Sequence, residues 1–159
     1  GQDSGIQPFG VEAQRGLRLE KAHIIVGQDT DAMSNPFEIQ MGWALSRKKA
    51  YFVGHRTLQE LEQRPLTRVL AGFMIKDINT PQPLESHLVL DGNAMIGRVT
   101  SCMTSPTLNA IIGLAYVPVA FAEPGCCILI KVDGGQRVTA EIVSTPFYDP
   151  ESRRQDLES

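Results

Sequence analysis

The sequence predicts an α+β chain that is mostly β. Short helices occupy residues 1–64, a six-stranded antiparallel β-barrel or sandwich, Greek-key-like in order, fills 65–150, and a polar tail closes the chain at 151–159. Three observations predict this. Six short runs rich in β-branched residues follow residue 66. Asp91-Gly92 and Asp133-Gly134-Gly135 lie between two pairs of those runs, where tight hairpins need them. Before Arg64-Pro65 the local signals are helix caps instead.

The first helix is expected over 11–22, "VEAQRGLRLEKA", with Gly16 weakening its middle. In "SNPFEIQMGWAL", Asn35 stands as an N-cap, Pro36 at the first helical position and Glu38 at the third, which predicts a helix reaching about Leu45. "TLQELEQ" opens with Thr57 and Glu60 in capping-box spacing. The strands are expected at "TRVLAGFMI", "SHLVL", "AMIGRVTS", "AIIGLAYVPV", "CCILIKV" and "QRVTAEIV", with the Pro-bearing loop "NTPQPLES" between the first two. "CCILI" and "AIIGLAY" are apolar on both faces, so the amino-terminal helices should cover one side of the barrel. The tail "DPESRRQDLES" should fray.

Composition narrows the class. A chain of 159 residues buries roughly 70% of its unfolded surface, enough for one good core. Hydrophobic content of 42% and charged content of 21% are those of an ordinary soluble globular protein. A net charge of −3 argues against a nucleic-acid surface. No run reaches the roughly 20 apolar residues of a membrane helix, and "GQDSGIQPFG" lacks the regions of a signal peptide. Cys102, Cys126 and Cys127 form an odd set whose adjacent pair is too close for ordinary disulfide geometry, which points to a reducing, cytoplasmic setting. No further pair has zinc-ligand spacing, and His23, His55 and His87 are isolated. A calcium loop starting at Asp29 fails at Met33, Ser34 and Gln40. Glycine-rich phosphate loops and the G-x-S-x-G elbow are absent.

The informative stretch is "LRLEKAHIIVGQDTD", followed by "NPFEIQMGWALSRKKAYFVGHRTL". Together with "GRVTSCMTSPTLNAIIGLAYVPVAFAEPG" and "STPFYDP", it resembles the folate-binding aminomethyltransferases. These comprise the glycine cleavage T-protein and the folate domain in the alpha subunit of heterotetrameric sarcosine oxidase. The resemblance runs from about Gly5 to Asp149. "EKAHIIVGQDTD" is closer to the sarcosine oxidase branch and "VTSCMTSPTLNAIIGLAYVP" to the T-protein and its dimethylglycine-oxidising relatives; the balance leans to the oxidase and dehydrogenase side.

The resemblance implies a three-domain cloverleaf with tetrahydrofolate in a central channel, accepting a one-carbon unit from an aminomethyl or iminium donor. It places the catalytic aspartate and the glutamate that grips the pteridine upstream of the "LRLE" helix. The chain is therefore expected to be the carboxy-terminal part of such an enzyme, 1–64 being a piece of the central domain and 65–150 the closing barrel, inactive alone. Its expected partners are the amino-terminal portion or another subunit, with a flavin-bearing subunit or a lipoyl carrier protein as candidates. Apolar faces around 17–26 and 37–45 would also favour a second copy of the chain.

By the same resemblance, Arg18, Glu20, Asp29, Trp43 and Tyr148 are the cofactor-binding candidates. Each has a second reading. Arg18 meets a ligand carboxylate or forms an internal ion pair. Asp29 and Asp31 line the channel or shape a turn. Trp43 stacks on a ring or fills a core. Tyr148 reaches the channel mouth or pins the last strand. Thr100 and Ser101 read as strand-end hydrogen bonders, with no base placed to activate them. Where the family often carries an earlier folate-binding arginine, this chain has Gln14, and Arg15 lies about 100 degrees round the helix. Two rivals stand beside the leading reading: a non-catalytic docking module that binds no folate, and a relative using the scaffold for another folate or demethylation reaction.

Overall fold

Strand alternation decides the architecture, because inward side chains must fill a closed cylinder while outward ones meet either solvent or a cover. The computed structural model describes residues 2–155. Its strands are β1 (Arg68–Ile75), β2 (Leu88–Asp91), β3 (Ala94–Ser105), β4 (Ala110–Pro118), β5 (Cys127–Lys131) and β6 (Arg137–Val143). They are neighbours in the order β1-β4-β3-β2-β5-β6, all antiparallel, and β6 returns to β1 through Gly72–Met74. The predicted α+β class and the closed six-stranded barrel are both observed. β2, β3 and β4 form a meander and β1 lies beside β4, which is the Greek-key step.

Inside, Phe73, Val89, Val99, Ile111, Ile130 and Ile142 are essentially unexposed and belong to one cluster. A Cβ at Gly113 would lie 2.3 Å from Phe73 Cζ and 2.5 Å from the Ser101 carbonyl oxygen, so only glycine leaves room for the Phe73 ring. Outside, Ile112, Leu114 and Tyr116 of β4 join Leu70 of β1 and Leu19 in a second cluster. That cluster explains why β4 is apolar on both faces. Its cover is the helix α1 (Val11–Glu20) with Ile24 and Ile39 from the segment that follows. Fully burying one such aliphatic side chain stabilises by about 1.5–3 kcal/mol. Four of them, together with Tyr116, rival in gross terms a typical domain's margin of about 5–15 kcal/mol. The amino-terminal residues are part of the barrel's fold.

α1 ends two residues before its predicted limit. The His23 N–H reaches the Arg18 carbonyl at 2.7 Å and the Ala22 N–H reaches Leu19 at 2.8 Å, with Ala22 at φ 53°. This is a Schellman stop with alanine where glycine is usual. Gly16, which weakens the helix as a sequence, is its contact point: a Cβ there would come within 2.9 Å of Met103.

The helix expected through Leu45 does not form. Its start is real. Asn35 Oδ1 accepts the Phe37 and Glu38 amides at 3.0 and 3.1 Å, and the Glu38 carboxylate accepts the Asn35 amide at 3.3 Å. After one turn Gln40 moves to φ 58°, and only a 3-10 turn at Gly42–Ala44 follows. β1 supplies the reason. The Leu70 N–H takes the Glu38 carbonyl at 2.7 Å, and Gln40 Nε2 donates to the Leu70 carbonyl at 2.9 Å. The carbonyl that would continue the helix is already used. The second helix, α2 (His55–Gln63), starts two residues before Thr57, from Gly54 at φ 89°, so the predicted Thr57–Glu60 box is not made.

The start of the tail is held down, contrary to the expected fraying. Lys21 Nζ bonds Asp149 Oδ2 at 2.9 Å, and a 3-10 turn spans Arg153–Gln155. The fraying expected at 156–159 lies outside the described residues. Cys127 is exposed, Cys126 packs toward the barrel interior, and burial pushes the Cys102 thiol up to about 12, so Cys102 carries almost no thiolate at neutral pH.

Two outcomes are expected. Ala22→Gly should raise stability by up to about 1 kcal/mol, because glycine relieves the left-handed cap; urea unfolding measures it. The Lys21 ammonium is the main cause holding the Asp149 carboxyl below its ordinary 3.8, with the Arg153 and Arg154 amides adding to it. A depressed folded-state value means this contribution is complete above pH 3.8 and is lost as pH falls through the lowered value. Amide protection at Arg153 should therefore hold down to that point and fail only below it.

Candidate functional site

Four donors converge on one buried carboxylate. The turn "IIVGQD" folds back so that the Asp29 amide meets the Ile25 carbonyl at 2.9 Å, while Asp29 Oδ2 accepts the Ile25 amide at 2.8 Å. Asp29 has no exposure, and it also accepts Arg18 Nη1 at 2.7 Å, Thr100 Oγ1 at 2.7 Å and Ser101 Oγ. Thr100 and Ser101 are consecutive, and in a regular strand they would face opposite ways. A register shift between Val99 and Ser101 against β4 lets both hydroxyls face the same carboxylate. Arg18 completes the net through Nη2 to Ser101 Oγ at 2.8 Å and Nη1 to the His23 carbonyl at 3.1 Å, while its Nε is buried without a partner. Glu20, also buried, accepts Ser105 Oγ at 2.6 Å.

A second polar group lies alongside. The Arg68 and Arg98 guanidinium carbons sit 4.7 and 5.7 Å from the Tyr116 ring centroid. The Tyr116 hydroxyl donates to the Asp29 carbonyl at 3.1 Å. Burial pushes its phenol up. Asp31 Oδ1 accepts the Met33 amide and the Ser34 hydroxyl, both at 2.9 Å, and Oδ2 accepts from Arg98 at 3.1 Å. The Ser34 hydroxyl, then the Met33 amide, then the two arginines hold this carboxyl below the usual range.

Beyond this wall opens a cavity of about 570 Å³, bounded by Lys21, Ile39, Gln40, Trp43, Leu70, Leu114 and Pro146. Its size suits a small-molecule site. Lys21 is the one Lys or Arg in the lining, which contains no carboxylate. Trp43, at 81% exposure, stands at its edge and is not a core residue. Such a space can hold a flat apolar group; His23 also lines it, and the Lys21 ammonium is already paired with Asp149.

The five residues singled out from the sequence separate here. Trp43 lines the cavity. Arg18, Glu20 and Asp29 lie in the polar seam between α1, the 25–29 turn and β3. Tyr148 donates its amide to the Glu20 carbonyl at 3.0 Å, and the Arg154 guanidinium carbon lies 5.6 Å from its ring centroid. Lys21, Gln40, Leu70 and Pro146 were not singled out; they come from four separate segments, and only the charge of Lys21 beside an apolar run marks any of them. Among the described residues no group of three His, Cys, Asp or Glu side chains is placed to hold a metal, and no helix is long and apolar enough to cross a membrane.

Residues 68–149 match the family model of the glycine cleavage T-protein C-terminal barrel domain, and residues 1–49 match the GCVT N-terminal domain. An aminomethyltransferase of Halothermothrix orenii is 38% identical over 147 residues, which cover 92% of this chain and 40% of that protein. A trimethylamine-oxide aldolase of Ruegeria pomeroyi is 40% identical over 158 residues, covering 97% of this chain and 20% of that one. The crystal structure of glycine cleavage system aminomethyltransferase T from Bartonella henselae matches with a TM-score of 0.83 at 26% identity, over 93% of this chain and 41% of that chain. The chain thus spans about two fifths of the length of the aminomethyltransferases it matches.

Asp29→Asn should destabilise the chain by about 3–5 kcal/mol, because it leaves the Arg18 guanidinium buried without its counter-charge. Arg18→Met combined with Asp29→Asn should cost less than the sum of the two, since both remove one shared interaction. Urea denaturation of the four proteins measures both, and additive losses would contradict the coupling.

Proposed function

The chain belongs to the glycine cleavage T-protein family, and from that premise we propose that it is the carboxy-terminal part of a folate-dependent one-carbon transferase. The observation that carries this reading is the cavity beside Trp43, with aliphatic walls and Lys21 at its rim. These residues fit the aryl part of tetrahydrofolate. Trp43 offers an exposed ring face, and Ile39, Leu70, Leu114 and Pro146 offer apolar contact, while the Lys21 ammonium is already engaged by Asp149. When bound, tetrahydrofolate supplies the two nitrogens that take up the one-carbon unit. The chain's own residues bind and orient it and keep water from its ring. The lining holds no carboxylate, and His23 is its one imidazole; in this proposal the handling of protons falls to another part of the intact protein, and this chain alone is inactive.

For the donor, the oxidase and dehydrogenase side of the family is preferred, with an N-methylated amine as the carbon source. The 40% identity over 97% of the chain with the trimethylamine-oxide aldolase supports it. A second reading takes an aminomethyl group from a lipoyl carrier protein, supported by the 38% identity with the Halothermothrix orenii aminomethyltransferase. The partners in this proposal are the rest of a larger enzyme, a flavin-bearing or lipoyl-bearing protein, and a second copy of the chain, in the cytoplasm. Val26 at 84%, Trp43 at 81% and Val53 at 95% exposure are apolar surface that such partners would cover.

The chain has one tryptophan, so its intrinsic fluorescence reports directly on the cavity. Titration with 5-formyltetrahydrofolate should change Trp43 emission and saturate in the micromolar range, and Trp43→Ala, followed by calorimetry, should weaken that binding by about tenfold, the loss of one aromatic stacking contact. Tetrahydrofolate with an aminomethyl or N-methyl donor should give no turnover. Calorimetric and fluorescence silence at millimolar folate would favour the docking module; turnover by the chain alone would overturn the assignment of the catalytic acid to another part of the protein.

A further inference from the structure

Four consecutive residues, Lys21, Ala22, His23 and Ile24, border the Trp43 cavity. On a continuing helix they would point about 100 degrees apart and could not all meet one space. Ala22 makes the difference: its φ of 53° is a left-handed conformation that alanine adopts at a cost. A backbone outlier of this kind is a reason to ask what it aims and where. Here the residue it carries to the cavity is His23.

His23 is held by its main chain. Its amide donates to the Arg18 carbonyl at 2.7 Å, and its carbonyl accepts Arg18 Nη1 at 3.1 Å. Arg18 is itself fixed by Asp29 at 2.7 Å. Among the described residues these two bonds are the polar ties of His23, so its exposed imidazole keeps both nitrogens for a ligand. Only Lys21 and His23 in the lining can carry a positive charge. The Lys21 ammonium is occupied by the Asp149 carbonyl at 2.5 Å and Asp149 Oδ2 at 2.9 Å, and Gln40 Nε2 by the Leu70 carbonyl at 2.9 Å. The parts of the lining from residues 39–43, β1, β4 and 145–146 contain no titratable side chain. The charged groups beside His23 in the chain are therefore Arg18, matched by Asp29, and Lys21, matched by Asp149.

We propose that His23 is the anion-binding residue of the cavity, its imidazolium receiving a carboxylate carried by an aryl ligand whose ring lies against Trp43. The assignment rests on the folate reading, within which the anion is a carboxylate of the glutamate joined to the aryl group. An anion favours the protonated ring, so binding of the ligand and binding of a proton assist each other. Affinity is therefore full at low pH and declines as pH rises through the range, about 5 to 8, in which imidazoles lose their charge.

Calorimetry with 5-formyltetrahydrofolate on the full chain tests this. The carboxylates of the probe titrate at about pH 4, so a change between about pH 6 and about pH 8.5 belongs to the protein. Affinity should fall about fivefold across that window, the weight of one partly screened charge-assisted hydrogen bond, with proton uptake from the buffer near neutrality. The glutamate dimethyl ester of the probe should bind with neither effect. His23→Gln should abolish both and bind within about twofold of the unsubstituted chain at about pH 8.5. In proton NMR of the unsubstituted chain, which decides even if the variant fails to fold, the probe should shift the imidazole signals of His23. Those of His55 and His87, which do not line the cavity, should stay in place. Affinity independent of pH, a pH dependence that survives His23→Gln, or an unmoved His23 signal with ligand bound would overturn the role of His23 and leave the folate reading standing. Absence of binding at every pH would overturn both.

Discussion

The Asp29 carboxylate is the constraint on which the rest of the structure depends. A charge without solvent is tolerated only when its lone pairs are met by donors in good geometry. Here the donors come from a helix, the turn that follows it and a strand 71 residues farther along the chain. Arg18 brings α1, Ile25 closes the turn, and Thr100 with Ser101 brings β3. Satisfying one carboxylate therefore fixes where α1 lies on the barrel. That position sets the Leu19 contact with β4, the Glu20 bond to Ser105 and the direction in which Lys21 leaves the helix. The cavity is a consequence of the same placement, because one of its sides is the chain that emerges from α1 and another is the barrel wall.

The barrel was legible because its information is local. Runs rich in β-branched residues and the Asp-Gly turns describe strands and hairpins that the structure reproduces between β2 and β3 and between β5 and β6. The apolar pattern on both faces of β4 correctly implied a cover. The misread elements have non-local causes. Asn35 and Glu38 do cap a turn, but the carbonyl that would extend it is taken by Leu70, about thirty residues away. Ala22 ends α1 in a conformation usually assigned to glycine, so nothing in "EKAHI" marks the stop.

The candidate site was less legible for the same reason. Thr100 and Ser101 were recognisable as strand hydrogen bonders, yet a shift of register had to place both on one side before their shared partner could be seen. Lys21 meets Asp149 across 128 positions, and Pro146 and Trp43 border one space from opposite ends of the chain. Resemblance to a family pointed to Trp43. Neither composition nor spacing could point to its neighbours.

Closure of the sheet has a further effect. With β6 bonded to β1, the strands offer no free row of amides and carbonyls to an incoming chain. A sheet with an open edge would present a template for runaway stacking. Among the described residues the exposed apolar surface is instead made of side chains such as Val26, Trp43 and Val53, so contact made there is governed by shape and hydrophobicity rather than by strand addition.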